Sequence, residues 1–174
     1  MNSRIDIRCG DYRQVLADVR CDAVLVDAPY SDKTHEGHRA GTGADDGVER
    51  RAINYAMWSR ADITAFCDFW QDRCTGWIVS ITDTTLGPIW MEELERTGRY
   101  AFAPLPWVAP GSRVRLSGDG PSSWTCWIIV ARPRNRTFAS WGTTPGAYII
   151  NADREGHIGG KPVKLMRELI DDYS

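Results

Sequence analysis

The feature that most constrains this chain is an apolar run that ends abruptly: Ala23-Val24-Leu25-Val26 passes directly into Asp27-Ala28-Pro29-Tyr30. Apolar residues without polar alternation suit a strand buried on both faces, the kind found in parallel sheets. Pro29 cannot donate to a sheet ladder and pushes Ala28 toward an extended conformation, so the strand predicted here stops in a rigid turn. Helical and strand patterns then alternate. Ser59-Arg60-Ala61-Asp62 has the spacing of a capping box, and Ile63, Phe66, Cys67, Trp70 and Cys74 recur behind it at helical intervals until Gly76. Trp77-Ile78-Val79-Ser80-Ile81 reads as a second buried strand, and Leu86, Ile89, Trp90 and Leu94 as a helix closed by Gly98. Residues 100–109 and 124–131 read as two further strands, separated by a loop from Pro110 to Pro121 rich in Gly, Pro and Ser. A last helix begins after Gly159-Gly160, with Pro162 suited to its first turn and Val163, Met166, Leu169, Ile170 and Tyr173 on one face. At the front, residues 4–9 alternate apolar and polar, which predicts a half-buried strand stopped by Gly10. Asp11 to Val19 predicts a short helix with Val15, Leu16 and Val19 on one face. Strands alternating with helices point to an α/β sheet covered on both sides. The 174 residues suffice for one domain with its own core.

Charge and cysteine usage narrow the setting. The net charge of −2 gives no argument for a polyanionic partner, but it is unevenly spread: residues 99–136 hold six arginines (99, 113, 115, 132, 134, 136) against Asp119, a local +5. Such a stretch suits phosphate and suits a solvated face equally well. The five cysteines (9, 21, 67, 74, 126) form no Cys-x-x-Cys pair, and no signal peptide opens the chain, which points to reduced thiols in a cytoplasmic protein. His35-x-x-His38 lacks a second half with metal-ligand spacing, and no apolar run reaches membrane-span length. Residues 31–52 form a polar stretch without periodicity, including Gly41-Thr42-Gly43, long enough to suggest a functional loop.

Ligands of open α/β sheets bind beyond the carboxyl ends of the strands, where Asp27-Ala28-Pro29-Tyr30 is expected to lie. The Asp27 carboxylate and a backbone carbonyl held by the proline turn give two acceptors, enough for both hydrogens of an NH₂ group. Tyr30 adds a face on which a planar base stacks at a gain of about 1–3 kcal/mol. An aryl amine is a poor nucleophile because its lone pair is delocalised into the ring. Hydrogen bonds to both hydrogens localise that lone pair and stabilise the positive charge that develops as a methyl group arrives. In-line alignment supplies the rest, without a covalent enzyme intermediate. A plain turn after a strand would use the same residue types.

The tetrad resembles the Asp-Pro-Pro-Tyr motif of amino-methyltransferases that modify adenine or cytosine in DNA. Cys9-Gly10-Asp11 with Leu16 is similar to the Gly-Asp…Leu segment ahead of the tetrad in the circularly permuted class, and Gly159-Gly160-Lys161-Pro162-Val163-Lys164-Leu165-Met166 is similar to its Lys-Pro segment. Gly76 to Ser80 and Ser122 to Val130 fit the later strands, so the resemblance spans residues 5–174. It implies a partial Rossmann-like S-adenosylmethionine-dependent methyltransferase fold and methyl transfer from S-adenosylmethionine to an exocyclic amine of a base flipped out of the duplex. A tetrad that begins with Asp implies the 6-amino group of adenine; the 4-amino group of cytosine is the alternative. By the same resemblance Asp27 and the Ala28 carbonyl hold the amine, Tyr30 stacks on the base, and Asp11, Lys161 and Pro162 lie near the cofactor. DNA contacts are expected from Lys33, Arg39, Arg113, Arg115, Arg134 and Arg136. A short target-recognition segment is expected over 133–158, aided by the 31–58 stretch with Arg50 and Arg51.

Two departures stand out. Ala28 replaces a proline, which a backbone role tolerates. The sequence also reaches Ser174 without the strand and glycine-rich loop that hold the cofactor's methionine part in this class. The expectation is therefore an incomplete sheet, in a truncated chain, a segment of a longer protein, or half of a split enzyme. The partners expected are DNA and a second chain or further segment bringing the cofactor loop, with a homodimer as another arrangement and no membrane. A catalytically incomplete nucleic-acid-binding module is the competing reading. Methylation of a glutamine amide or of RNA is a third, though the family's glutamine enzymes typically begin the tetrad with Asn.

Overall fold

The computed structural model describes residues 5–32, 34, 56–111, 124–134, 142–152 and 160–174. In chain order the elements are α1 (Tyr12–Val15), β1 (Cys21–Asp27), α2 (Arg60–Trp70), β2 (Cys74–Thr82), α3 (Gly87–Arg96), β3 (Arg99–Ala101), β4 (Leu105–Val108), β5 (Thr125–Pro133), β6 (Tyr148–Ile149) and α4 (Val163–Tyr173). The sheet runs β1-β2-β5-β4-β6, with β3 also pairing with β5. β1 and β2 are parallel, as are β4 and β6; β5 is antiparallel to β2, β3 and β4.

The strand period of two sorts the core into two layers. Ile78 of β2 and Ile129 and Ala131 of β5 face α2 and α3, packing with Ile63, Phe66, Trp90 and Leu94. Val79 and Ile81 of β2 with Ile128 and Val130 of β5 face the other way, onto Trp107, Tyr148 and the α4 residues Leu165, Leu169 and Tyr173. Both faces of the sheet's centre are therefore covered, as the apolar runs predict.

Local signals explain several boundaries. The capping box ahead of α2 is present: Ser59 Oγ donates to Asp62 at 2.7 Å, and the Ser59 amide to the same carboxylate at 2.8 Å. Gly98 closes α3 with φ of +79°, a conformation other residues rarely adopt. At Gly10, with φ of +148°, a Cβ would stand 2.7 Å from Val15 Cγ1, so only glycine lets the chain turn into α1.

The structure departs from the sequence expectations at several places: β1 is half-buried and not enclosed on both faces, and α1 ends at Val15 and does not reach Val19. Residues 5–9 form no strand, and Ile5 and Ile7 are 83% and 89% exposed; alternation describes a strand only where a partner edge is available. β2 begins at Cys74, so Cys74 and Gly76 belong to the strand and not to the preceding helix. Residues 100–109 divide into β3 and β4 on either side of 102–104, where the chain passes from one half of β5 to the other. On α4 the buried stripe is Leu165, Leu169 and Tyr173, while Val163 and Ile170 are exposed, because an i, i+4, i+8 row meets the sheet. The Pro110–Pro121 loop beyond Gly111, residues 35–52 of the polar stretch, and His35 and His38 lie outside the described residues.

Candidate amine-binding site

The site forms where the parallel strands β1 and β2 end side by side. Asp27 is the last residue of β1, in register with Ile81. Ala28 follows and is buried against the α2–α3 core, which anchors the turn and leaves the Asp27 side chain 39% exposed at the rim. The main chain beyond the turn is tied back, for the Trp58 amide donates to the Tyr30 carbonyl at 3.3 Å. The Tyr30 hydroxyl reaches Cys126 Sγ of β5 at 3.6 Å. Burial pushes the Cys126 thiol up, against the opposing pull of the Tyr30 contact and the Lys161 charge, which keeps it a neutral packing group.

Lys161 closes the site from a distant part of the sequence. Its Nζ lies 2.8 Å from Asp27 Oδ1 and 2.9 Å from Oδ2, and 5.0 Å from the centre of the Tyr30 ring. Pro162 follows as the N-cap residue of α4, whose buried stripe fixes the backbone from which the lysine reaches. One ammonium thus contacts both the carboxylate and the ring of the tetrad.

Asp83 carries a second role that sequence reasoning missed. It stands just beyond β2 and takes hydrogen bonds on both oxygens. Oδ2 accepts from the Ser31 amide at 2.8 Å, Ser31 Oγ at 2.5 Å and Thr34 Oγ1 at 2.6 Å. Oδ1 accepts from the amides of Thr85 and Leu86 at 3.0 and 2.9 Å. Burial raises the Asp83 carboxyl, but donors from Ser31, Thr34 and Leu86 outweigh it and hold the group below the ordinary aspartate range. Asp83 therefore clamps the chain leaving the tetrad to the start of α3. The available signal was that two parallel apolar strands each run into an aspartate at the same edge of the sheet.

The other expected site residues are scattered. Asp11 is the N-cap of α1 and is bound by Arg13, through its amide at 2.9 Å and its guanidinium at 2.5 Å. That pairing, led by the side-chain hydrogen bond, lowers the Asp11 carboxyl to about 2. An open recess lined by Ile7, Gly10, Tyr12, Val15, Leu16 and Val19 adjoins it in the sequence. Arg134 leans on Tyr100, its guanidinium 5.5 Å from the ring centre, and lies 3.6 Å from Glu95. Arg99, counted in the basic stretch, is buried at 3% exposure and donates to the carbonyls of Gly76 and Cys74 at 2.6 and 2.5 Å; it is a structural residue. Lys33, Arg39, Arg50, Arg51, Arg113, Arg115 and Arg136 lie outside the described residues, as does Trp141. The cysteines among the described residues are all free thiols, and no described helix is long and apolar enough to cross a membrane.

No family model matches this sequence, and no curated protein matches it. Solved structures do resemble its fold. M1.HpyAVI in complex with SAM superposes with a TM-score of 0.60 at 13% identity, over 91% of this chain and 68% of that one. A second crystal structure of M1.HpyAVI gives 0.58 at 12% identity, over 95% of this chain and 73% of that one. The architecture, a mixed α/β fold with a curled and partial sheet, is similar to that of these structures. At such identity the likeness is one of fold.

Proposed function

We propose that this chain carries the base-binding part of a DNA amino-methyltransferase that uses S-adenosylmethionine and acts on the 6-amino group of adenine. The observation that carries this reading is the ammonium of Lys161 seated on Asp27 and over the Tyr30 ring, at the carboxyl end of β1, where it holds the place of the amine. A group that binds one cationic nitrogen there suits a nitrogen that becomes cationic in the transition state. Asp27 orients the amine, the turn through Ala28 and Pro29 offers the second acceptor, and Tyr30 stacks on the base. By the family resemblance, the Asp that opens the tetrad favours adenine, with cytosine as the alternative.

S-adenosylmethionine supplies the methyl group when bound. The residues present fit it only in part: the recess beside Asp11 is open and carries the charged Asp6 and Arg8 as well as apolar side chains, and Asp11 offers an acceptor once released from Arg13. The glycine-rich loop that the family resemblance requires is not among the described residues. A second reading, a module completed by another chain or segment, is favoured by β1, which among the described residues pairs only with β2 and contains no fully buried residue. Residues 133–158 remain the proposed target-recognition segment, with the basic residues of 31–58 as helpers.

Incubation with methyl-labelled S-adenosylmethionine and DNA, followed by nucleoside analysis, tests the reading. The expected product is N6-methyladenine, reduced about 100- to 1,000-fold in Asp27→Ala by loss of one preorganised contact. N4-methylcytosine alone would reassign the base. Salt-dependent DNA binding without transfer, unaffected by Asp27→Ala, would favour the non-catalytic module.

A further inference from the structure

Lys161 offers more than charge balance. Its side chain is only 10% exposed, while that of Asp27 is 39% exposed, so the pair meets an incoming group with the carboxylate in front and the ammonium set back beside it. The result is a hydrogen-bond acceptor next to a donor, with the donor 5.0 Å from the centre of the ring proposed to stack the base. Adenine and cytosine carry the complement on one edge: an exocyclic NH₂ beside an unprotonated ring nitrogen. Thymine carries the reverse order, a carbonyl beside a ring N–H, so in the same pose it sets its acceptor against the carboxylate and its donor against the ammonium.

We propose that Asp27 and Lys161 read the target base as a unit, Asp27 accepting from the exocyclic amine and Lys161 donating to the adjacent ring nitrogen. The proposal rests on the amino-methyltransferase reading and adds a specificity-determining residue to it. An ammonium carries three hydrogens, so it keeps one on Asp27 while exchanging another of its contacts for the base. Its origin next to Pro162, at the head of a helix whose stripe Leu165, Leu169 and Tyr173 is buried in the sheet, fixes the donor in place before the base arrives. Donation to the ring nitrogen also discriminates by chemistry: a base with carbon at that position leaves a charged donor facing a C–H group.

Binding of short single-stranded thymidine oligonucleotides tests this without requiring turnover and without opening a duplex. One carries a single central adenine, a second 1-deazaadenine at that position, and a third thymine throughout. The full chain is expected to prefer the adenine oligonucleotide over the all-thymine one, and to lose about tenfold when the ring nitrogen is replaced. Lys161→Met is expected to lose a similar factor for adenine and to bind the adenine and 1-deazaadenine oligonucleotides equally. Equal binding of those two by the unaltered chain, with both preferred over all-thymine, overturns the role of Lys161 and leaves the amine reading standing. Tighter adenine binding in Lys161→Met also overturns it, and makes the lysine a plug that the base must displace. No preference for adenine over thymine in the unaltered chain overturns the amine reading, and this proposal with it.

Discussion

β1 and β2 are neighbouring parallel strands of similar apolar character, yet they live in different environments. In β2, Ile78, Val79 and Ile81 are at most 2% exposed, with partner strands on both edges and helices on both faces. In β1, Val24 and Leu25, in register with Ile78 and Val79, are only half-buried, as is Val26, and β2 is the one pairing strand among the described residues. The flank continues this pattern, since α1 buries none of its residues and Ile5 and Ile7 are exposed. Burial here is decided by neighbours and not by the strand's own residues. The tetrad stands at the boundary: its backbone is anchored by the finished side through Ala28 and Asp83, while its strand belongs to the unfinished one.

Paired core truncations should expose the contrast most strongly. Ile129→Ala, at the centre, is expected to cost about 2–5 kcal/mol in urea unfolding, whereas Val24→Ala, on the half-buried strand, is expected to cost about 1 kcal/mol. Equal costs would mean that β1 is as enclosed as β5. Next in size is Arg99→Met, which leaves the carbonyls of Gly76 and Cys74 without their donor and should cost about 2–4 kcal/mol. On the proposed function, the salt dependence of DNA binding should be the same in that variant, because a buried guanidinium makes no phosphate contact.

Asp83→Asn tests the clamp between the two sides and should cost about 2 kcal/mol at neutral pH. The folded Asp83 carboxyl titrates below its unfolded value of about 3.9. Its stabilisation is therefore fully present above the unfolded value and is lost as pH falls through the folded one. The stability gap between the unaltered chain and Asp83→Asn should accordingly narrow in acid titrations below about pH 4. A gap that stays constant to low pH would remove the charge from the account. The smallest effect is expected from Ser59→Ala, about 1 kcal/mol from the lost cap of α2, a helix wholly on the finished side.

The same division explains what was legible in the sequence. The apolar runs of β1, β2 and β5, the capping box at Ser59 and the stop at Gly98 are local signals, and each is matched by an element. The N-terminal alternation was read as a strand because periodicity does not say whether a partner edge exists. The buried stripe of α4 was misplaced because several apolar rows compete on one helix, and the sheet that selects among them comes from distant sequence. The turn from Asp27 to Tyr30 at the end of β1 could be read from the tetrad. The contact of Lys161 with them could not, since it joins residues separated by 134 positions. Asp83 had a local trace only in the two strands that end alike.

Amide hydrogen exchange resolved by residue tests the central contrast most directly. The account predicts that β2 and β5 exchange only through global unfolding. On β1, the amides on the side away from β2 should exchange orders of magnitude faster, with intermediate protection for the Ser31 amide held by Asp83. Protection along the whole of β1 equal to that of β2 would contradict it, because the strand bearing the tetrad would then have a second partner.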